Sequence, residues 1–135
     1  MKITVEAVVK ATIEDVWSAW TTPDDIKQWN AASADWHTTR ATVDLREGGS
    51  FSSRMEAKDG SMGFDFAGTY TKIVKHKRIE ASFGDRTMQV EFSEGPDGVI
   101  VTETFDAEST HSLEQQRQGW KAILDSFARH VEAGQ

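Results

Sequence analysis

The spacing of hydrophobic positions changes period within the first twenty residues. Over residues 3–9, apolar side chains fill every second position, which predicts a β-strand with one buried face. The stretch "IEDVWSAW" at 13–20 then has apolar residues at helical i, i+3, i+4 and i+7 spacing. Thr12 is a candidate N-cap, with Asp15 where a capping box usually carries Glu. We therefore predict a strand followed by an amphipathic helix.

A second, short helix and a run of strands are predicted next. Thr22 is a candidate N-cap and Pro23 suits a first helical position, which predicts a helix over about residues 23–28. Residues 30–36, "NAASADW", are mostly small and irregular, and we interpret them as a loop. Six strand-like segments separated by turn residues then follow at about 37–45, 50–57, 63–74, 78–84, 86–93 and 99–106. Such short connections predict sequential antiparallel hairpins.

The last segment predicts a long amphipathic helix whose apolar stripe turns polar at one end. Ser112 is a candidate N-cap and Gln115 completes a capping box. At 1.5 Å per residue, this helix reaches roughly 30 Å, long enough to cross a sheet. Gln116 and Arg117 interrupt the stripe, so they either border a cavity as hydrogen-bond donors or overhang the sheet in water. The apolar residues of the stripe are Leu113, Trp120, Ile123, Leu124, Phe127 and Val131.

Together these elements predict an α+β fold. A seven-stranded, curved antiparallel sheet is expected to wrap around the long C-terminal helix, with two short helices after the first strand. The 135 residues contain no visible domain boundary, internal repeat or low-complexity tract. We therefore expect residues 1–135 to form one domain.

Composition narrows the possible partners and chemistry. The net charge is −7, and the dense basic run is confined to residues 72–78, which excludes nucleic acid as the main partner. The sequence has no cysteine, no His pair at metal-ligand spacing and no phosphate-binding loop, so we predict neither a metal nor a cofactor. No segment approaches the ~20 apolar residues of a membrane span, and the N-terminus lacks the core of a signal peptide. A cytoplasmic location without a membrane span is expected.

Five stretches of the chain, taken together, have the pattern of a known family. They are "IEDVWSAWTTPDDIKQW" at 13–29, "DLREGGSFSSRMEAKDG" at 44–60, "GFDFAGTYTKI" at 63–73, "VTETFDAE" at 101–108 and "QGWKAILDSFARHVE" at 118–132. In this order they resemble the START-like, helix-grip (SRPBCC) superfamily, and within it the small bacterial proteins related to the activator of heat-shock protein 90 ATPase. The resemblance implies a cavity between the concave sheet and the long helix. Members of the superfamily bind lipids, sterols, polyketides or other apolar ligands, and a few are enzymes.

Candidate cavity residues follow from what a ligand pocket needs. Such pockets are mostly apolar with a few placed polar groups. Five Trp and seven Phe are many for this length, and they either fill a core or line a cavity. Among the four histidines, we consider the one next to Trp36 as a pocket residue. The candidates are Trp36, His37, Phe51, Met55, Phe66, Tyr70, Met88, Phe92, Glu103, Phe105, Gln116, Arg117 and Trp120.

Glu103 is the most informative polar candidate, because strand alternation places it with apolar residues. In "VIVTETF" it shares a face with Val99, Val101 and Phe105, so an inward apolar face carries the carboxyl into the cavity. A buried carboxyl must be paired or protonated, and Arg117 or Arg54 is a possible partner. In the alternative, the opposite face with Ile100 and the threonines points inward, and Glu103 is solvated.

Alternation also suggests that Arg54 and Glu56 lie on the outer face as charge pairs, which weakens Arg54 as a partner for Glu103.

Three functions are compatible with these features. The first is a binding protein for a small apolar or amphipathic molecule, lipid-like or polyketide-like, acting as a monomer or homodimer. The second is a cyclase or hydrolase type of enzyme that uses Glu103 as a general acid or base, which predicts a raised Glu103 pKa. The third is a chaperone-interacting protein, which predicts a large exposed apolar patch.

Overall fold

The computed structural model describes residues 1–134 and contains seven strands and three helices. Every element predicted from the pattern is present in the predicted order, with bounds that differ by at most two residues, because turns of Gly, Asp and Lys separate the strands. In chain order they are β1 (Lys2–Val9), α1 (Ile13–Thr21), α2 (Pro23–Trp29), β2 (Trp36–Val43), β3 (Ser50–Ala57), β4 (Gly63–Val74), β5 (Arg78–Phe83), β6 (Arg86–Gly95), β7 (Gly98–Asp106) and α3 (Leu113–Ala133).

The strands form one antiparallel sheet in the order β1-β7-β6-β5-β4-β3-β2. Strands β2 to β7 follow one another as hairpins, and β1 closes the far edge against β7, with Val5 opposite Glu103. Helix α3 contacts β1, while α2 contacts β2 at the opposite edge. The predicted α+β architecture, a curved sheet around a long C-terminal helix, is confirmed.

The core lies between the inner face of the sheet and the three helices. Buried positions alternate with exposed ones along β1 and with half-buried ones along β7, as expected for strands with one inner face. From α3, Leu124 and Phe127 are completely buried, and burial of such a side chain contributes about 1.5–3 kcal/mol. Phe127 meets Trp20 and Trp29 edge-on at 4.8 and 5.0 Å, which joins all three helices in one aromatic cluster.

The helix starts follow the predicted capping chemistry. The Thr12 hydroxyl accepts a hydrogen bond from the Asp15 backbone N–H at 3.1 Å. Ser112 and Gln115 form both halves of a capping box, at 3.1 and 3.0 Å. Thr22 occupies the N-cap position of α2, but its side chain makes no capping hydrogen bond. Polar side chains therefore determine where α1 and α3 begin.

The prediction that Leu113 belongs to the buried stripe of α3 is wrong. This residue, at the first position of the helix, is 41% exposed. No helix within residues 1–134 is long and apolar enough to cross a membrane.

Candidate functional site

A cavity of about 210 Å3 lies between the sheet and the helices. Phe64, which is 49% exposed, is part of its wall, so the cavity opens to solvent beside β4. Its lining is mostly aromatic and aliphatic. The lining residues are Trp20, Ile26, Trp29, Asn30, Thr42, Val43, Phe51, Ser53, Met55, Phe64, Phe66, Tyr70, Ile79, Ala81, Met88, Val90, Glu103, Trp120 and Ile123.

The aromatic wall is assembled from β3, β4 and α3. Phe51 packs 5.0 Å from Tyr70 and 5.7 Å from Phe66, measured between ring centroids. Gly68 allows this packing, because a Cβ at that position would lie 2.8 Å from the Phe51 ring and 2.3 Å from a backbone oxygen of β5. Trp120 of α3 meets Phe66 edge-on at 6.2 Å, so helix and sheet share one aromatic surface.

The ring of Phe105 packs against the ring of Trp120. The two rings stack at 3.8 Å with an interplanar angle of 9°. Phe105 is fully buried and does not line the cavity, so it acts as a support for the wall. Phe92 is similarly a core residue, 5.4 Å from Trp17 and 5.9 Å from Trp20. Both are predicted as cavity residues because the chain is rich in aromatic side chains, but these two rings pack in the core and do not line the cavity.

Glu103 points into the cavity from β7, as the inward interpretation predicted. It is 4% exposed, and strand register places it between Val5 of β1 and Val90 of β6. Its Oε1 atom is buried and has no hydrogen-bond partner among the described residues. Burial raises the pKa of Glu103 to about 8, because the apolar surroundings disfavour the charged form. The carboxyl is therefore protonated at neutral pH.

Neither predicted partner reaches Glu103. Arg54 pairs on the outer face of the sheet with Glu56 at 3.1 Å and with Asp65 at 3.7 Å, as the alternation of β3 suggested. Arg117 is exposed on α3 and does not line the cavity. Arg117 is predicted as a cavity residue because, together with Gln116, it interrupts the apolar stripe of α3. In the structure its side chain is exposed to solvent.

Gln116, one of the two polar residues that interrupt the apolar stripe of α3, has a structural role. This side chain is buried, and its Oε1 accepts from the Glu108 backbone N–H at 2.8 Å. Its Nε2 donates to the backbone oxygens of Glu108 at 3.1 Å and His111 at 2.9 Å. Gln116 thus ties the loop after β7 to the helix and does not line the cavity. The prediction that it donates into the cavity is wrong, since the loop takes up its hydrogen bonds.

The remaining predicted residues divide between the wall and its surroundings. Phe51, Met55, Phe66, Tyr70, Met88, Glu103 and Trp120 line the cavity. Trp36 lies outside the lining, with its ring 5.9 Å from that of Phe64 at the opening. His37 pairs in register with Glu56 and is also outside the lining, because its neighbour Thr38 takes the inward position.

Sequence reasoning missed the helical part of the wall. Trp20, Ile26 and Trp29 close the cavity from α1 and α2, and Trp29 donates from Nε1 to the Ala19 oxygen at 2.9 Å. A signal was present, since two tryptophans lie in short helices that follow a strand. Phe64 also lines the cavity, although it is not among the residues that the sequence predicts there. Within residues 1–134, no group of His, Asp and Glu side chains is placed to hold a metal ion.

Comparisons with known proteins agree with this architecture. Residues 10–132 match the sequence model of the family described as Activator of Hsp90 ATPase homolog 1-like protein. The solution structure of the AHSA1-like protein from Aeromonas hydrophila is 52% identical, covers 99% of this chain and 94% of its own, and has a TM-score of 0.93. A solution structure from Cytophaga hutchinsonii is 44% identical, with 98% and 93% coverage and a TM-score of 0.84.

More distant relatives share the fold alone. A crystal structure from Chromobacterium violaceum is 22% identical, covers 98% of both chains and has a TM-score of 0.87. No curated protein matches this chain. The family match over most of the sequence, together with the seven-stranded sheet around α3, leads to one assignment. The chain has the START-like helix-grip fold and belongs to the Activator of Hsp90 ATPase homolog 1-like family.

Proposed function

We propose that this protein binds a compact, mainly apolar small molecule in the cavity between the sheet and α3. The observation that carries this proposal is an aromatic-lined cavity with a buried, unpaired carboxyl, Glu103, in its wall. Ligand pockets typically combine an apolar lining with a few placed polar groups. A core built only for stability would leave neither the space nor the unpaired carboxyl.

The size of the cavity limits the ligand. About 210 Å3 exceeds the ~150 Å3 of an engineered cavity that binds benzene. It lies below the ~300–1,000 Å3 of pockets for drug-sized ligands. A one-ring or two-ring molecule, or a short branched chain, fits this space better than a full-length lipid.

Two serines on β3 offer a matched test. Ser53 is buried and lines the cavity, while its neighbour Ser52 lies on the other face of the sheet. We expect Ser53→Phe to fill the cavity and abolish binding of indane, a compact hydrocarbon probe, and Ser52→Phe to leave binding unchanged. Quenching of tryptophan fluorescence reports binding, because Trp20, Trp29 and Trp120 line the cavity.

The natural ligand is sought by native mass spectrometry of protein purified from its own host, which also gives the oligomeric mass. We expect a retained small molecule in the wild type and its loss in Ser53→Phe. Thermal unfolding of both variants shows that they are folded, and Val43→Phe, at a half-buried wall position, is a second filling variant. If nothing is retained and neither indane nor its ketone analogue 1-indanone binds to the wild type, the proposed function is wrong.

A second candidate is catalysis by Glu103 as a general acid. A buried carboxyl whose pKa is raised to about 8 can deliver a proton near neutral pH, as a cyclase or hydrolase would require. Glu103→Gln would then trap the substrate. A retained molecule with a different mass in Glu103→Gln supports catalysis, and an identical mass in both proteins supports binding alone.

A further inference from the structure

We propose that the ligand is a neutral molecule whose carbonyl oxygen accepts a hydrogen bond from the protonated carboxyl of Glu103. The inference rests on the proposed function, and it specifies the chemical class of the ligand.

The immediate neighbours of Glu103 offer it no hydrogen bond. Val5 and Val90 flank it on the adjacent strands, and Val101 and Phe105 precede and follow it on the inner face of β7. All four are buried. An ionised carboxylate here would lack any donor, so the resting form is the neutral acid, consistent with a pKa raised to about 8. The neutral acid offers one O–H donor to the cavity.

No charged group of the described chain complements a charged ligand in this cavity. Tyr70 is the other titratable residue among the described lining residues, and burial raises its pKa to about 12, so it stays neutral. On α3, Arg117 is exposed. The ammonium of Lys121 donates to Asp125 at 2.8 Å and to a backbone oxygen of β1 at 2.8 Å. An anion, such as a fatty-acid carboxylate, would find no cation here.

The O–H of the protonated Glu103 carboxyl, which has no acceptor among its neighbours, favours ligands that can accept its hydrogen bond. A hydrocarbon would bury the donor without a partner, which carries the full penalty of an unsatisfied buried group. An ammonium ligand requires ionisation of Glu103, although the aromatic wall would tolerate a cation. A carbonyl accepts the O–H without any change of charge. We expect a preference for a ketone over the matching hydrocarbon on the order of tenfold.

Three probes with one carbon skeleton separate these possibilities. Indane is the hydrocarbon, 1-indanone carries the carbonyl, and 1-aminoindane is a cation near neutral pH. Dissociation constants are measured by tryptophan fluorescence, with ligand-observed NMR as a second readout. At about pH 6.5 we expect 1-indanone to bind roughly tenfold more tightly than indane, and 1-aminoindane to bind least tightly.

Two variants and a pH series identify the donor. Glu103→Gln retains an N–H donor, so it should keep most of the ketone preference and show no change with pH. Glu103→Leu should bind both neutral probes equally. In the wild type, the preference should disappear as pH rises to about 9.5, because the carboxyl loses its proton above a pKa of about 8. Urea unfolding of each variant shows that it is folded.

The outcomes separate the inference from the proposed function. If indane and 1-indanone bind the wild type equally, the inference is overturned while binding in the cavity stands. The inference is also overturned if 1-aminoindane binds most tightly, because Glu103 then acts as an anion. If none of the three probes binds, both proposals fail. A ketone preference that Glu103→Leu removes and Glu103→Gln retains supports both.

Discussion

Replacement of Glu103 by Gln should make the protein less sensitive to rising pH. The Glu103 carboxyl has a pKa of about 8 in the folded protein, against an ordinary value of 4.5. Between these two values the unfolded chain loses its proton and the folded chain keeps it, so wild-type stability falls as pH rises. Each pH unit lowers the free energy of unfolding by about 1.4 kcal/mol, which amounts to about 3 kcal/mol between pH 4.5 and pH 7. Gln does not titrate and avoids this loss.

Other carboxyl groups respond to pH with the opposite sign, so a difference measurement is needed. The hydrogen bond from Lys2 lowers the pKa of Asp106, and the backbone N–H of His111 lowers the pKa of Glu108 to about 2. These groups stabilise the fold above their unfolded pKa values, and that contribution is lost as pH falls. They are present in wild type and variant alike and cancel in the difference between the two.

The assay is urea unfolding of both proteins at a series of pH values from about 4.5 to 9. The free-energy difference between Glu103→Gln and wild type should grow by about 3 kcal/mol up to pH 7 and level off above about pH 8. Glu103→Leu also removes the titrating group. Its free-energy difference from wild type should therefore change with pH as that of Glu103→Gln does, shifted by a constant amount. Parallel wild-type and variant curves would refute the burial argument, because they would mean that Glu103 is solvated or paired.

Three further predictions concern α3. Leu124→Asp should destabilise the protein by several kcal/mol in urea, because it buries an unpaired carboxyl at a fully buried position, and a stable variant would contradict this placement. Gln116→Ala should cost about 2–3 kcal/mol by leaving backbone groups unpaired, whereas Arg117→Ala at the exposed neighbour should stay within about 0.5 kcal/mol. Gly119→Ala should stabilise the helix by about 1 kcal/mol, because an added Cβ meets nothing within 4 Å, and a lower melting temperature would disprove this.

Much of the fold was predictable because it depends on local periods. Alternation over β1 and β7, helical spacing in α1 and α3, and turn residues between strands each follow from which side chains avoid water. The capping box at Ser112 is similarly a property of neighbours along the chain. Alternation placed Glu103 on one face with Val99, Val101 and Phe105, and the structure decided that this face points inward.

The cavity depended on tertiary structure, and here sequence reasoning was partly wrong. Gln116 and Arg117 looked equivalent as polar residues in an apolar stripe. One bonds to the loop after β7 and the other faces solvent. Phe105 and Trp120 looked equivalent as aromatics, but one supports the wall and the other forms it.

By itself, therefore, the sequence determined the elements, their order and which residues share a face of each strand, because these depend on residues close together in the chain. Only the tertiary structure decided where the packed elements leave space and which side chains border it. That outcome depends on the distances between α2, α3 and the middle strands, which no single segment encodes. The position of Glu103 in the wall combines both levels. Alternation placed the carboxyl on one face with valines and Phe105, and tertiary packing turned that face inward and left the carboxyl without a partner.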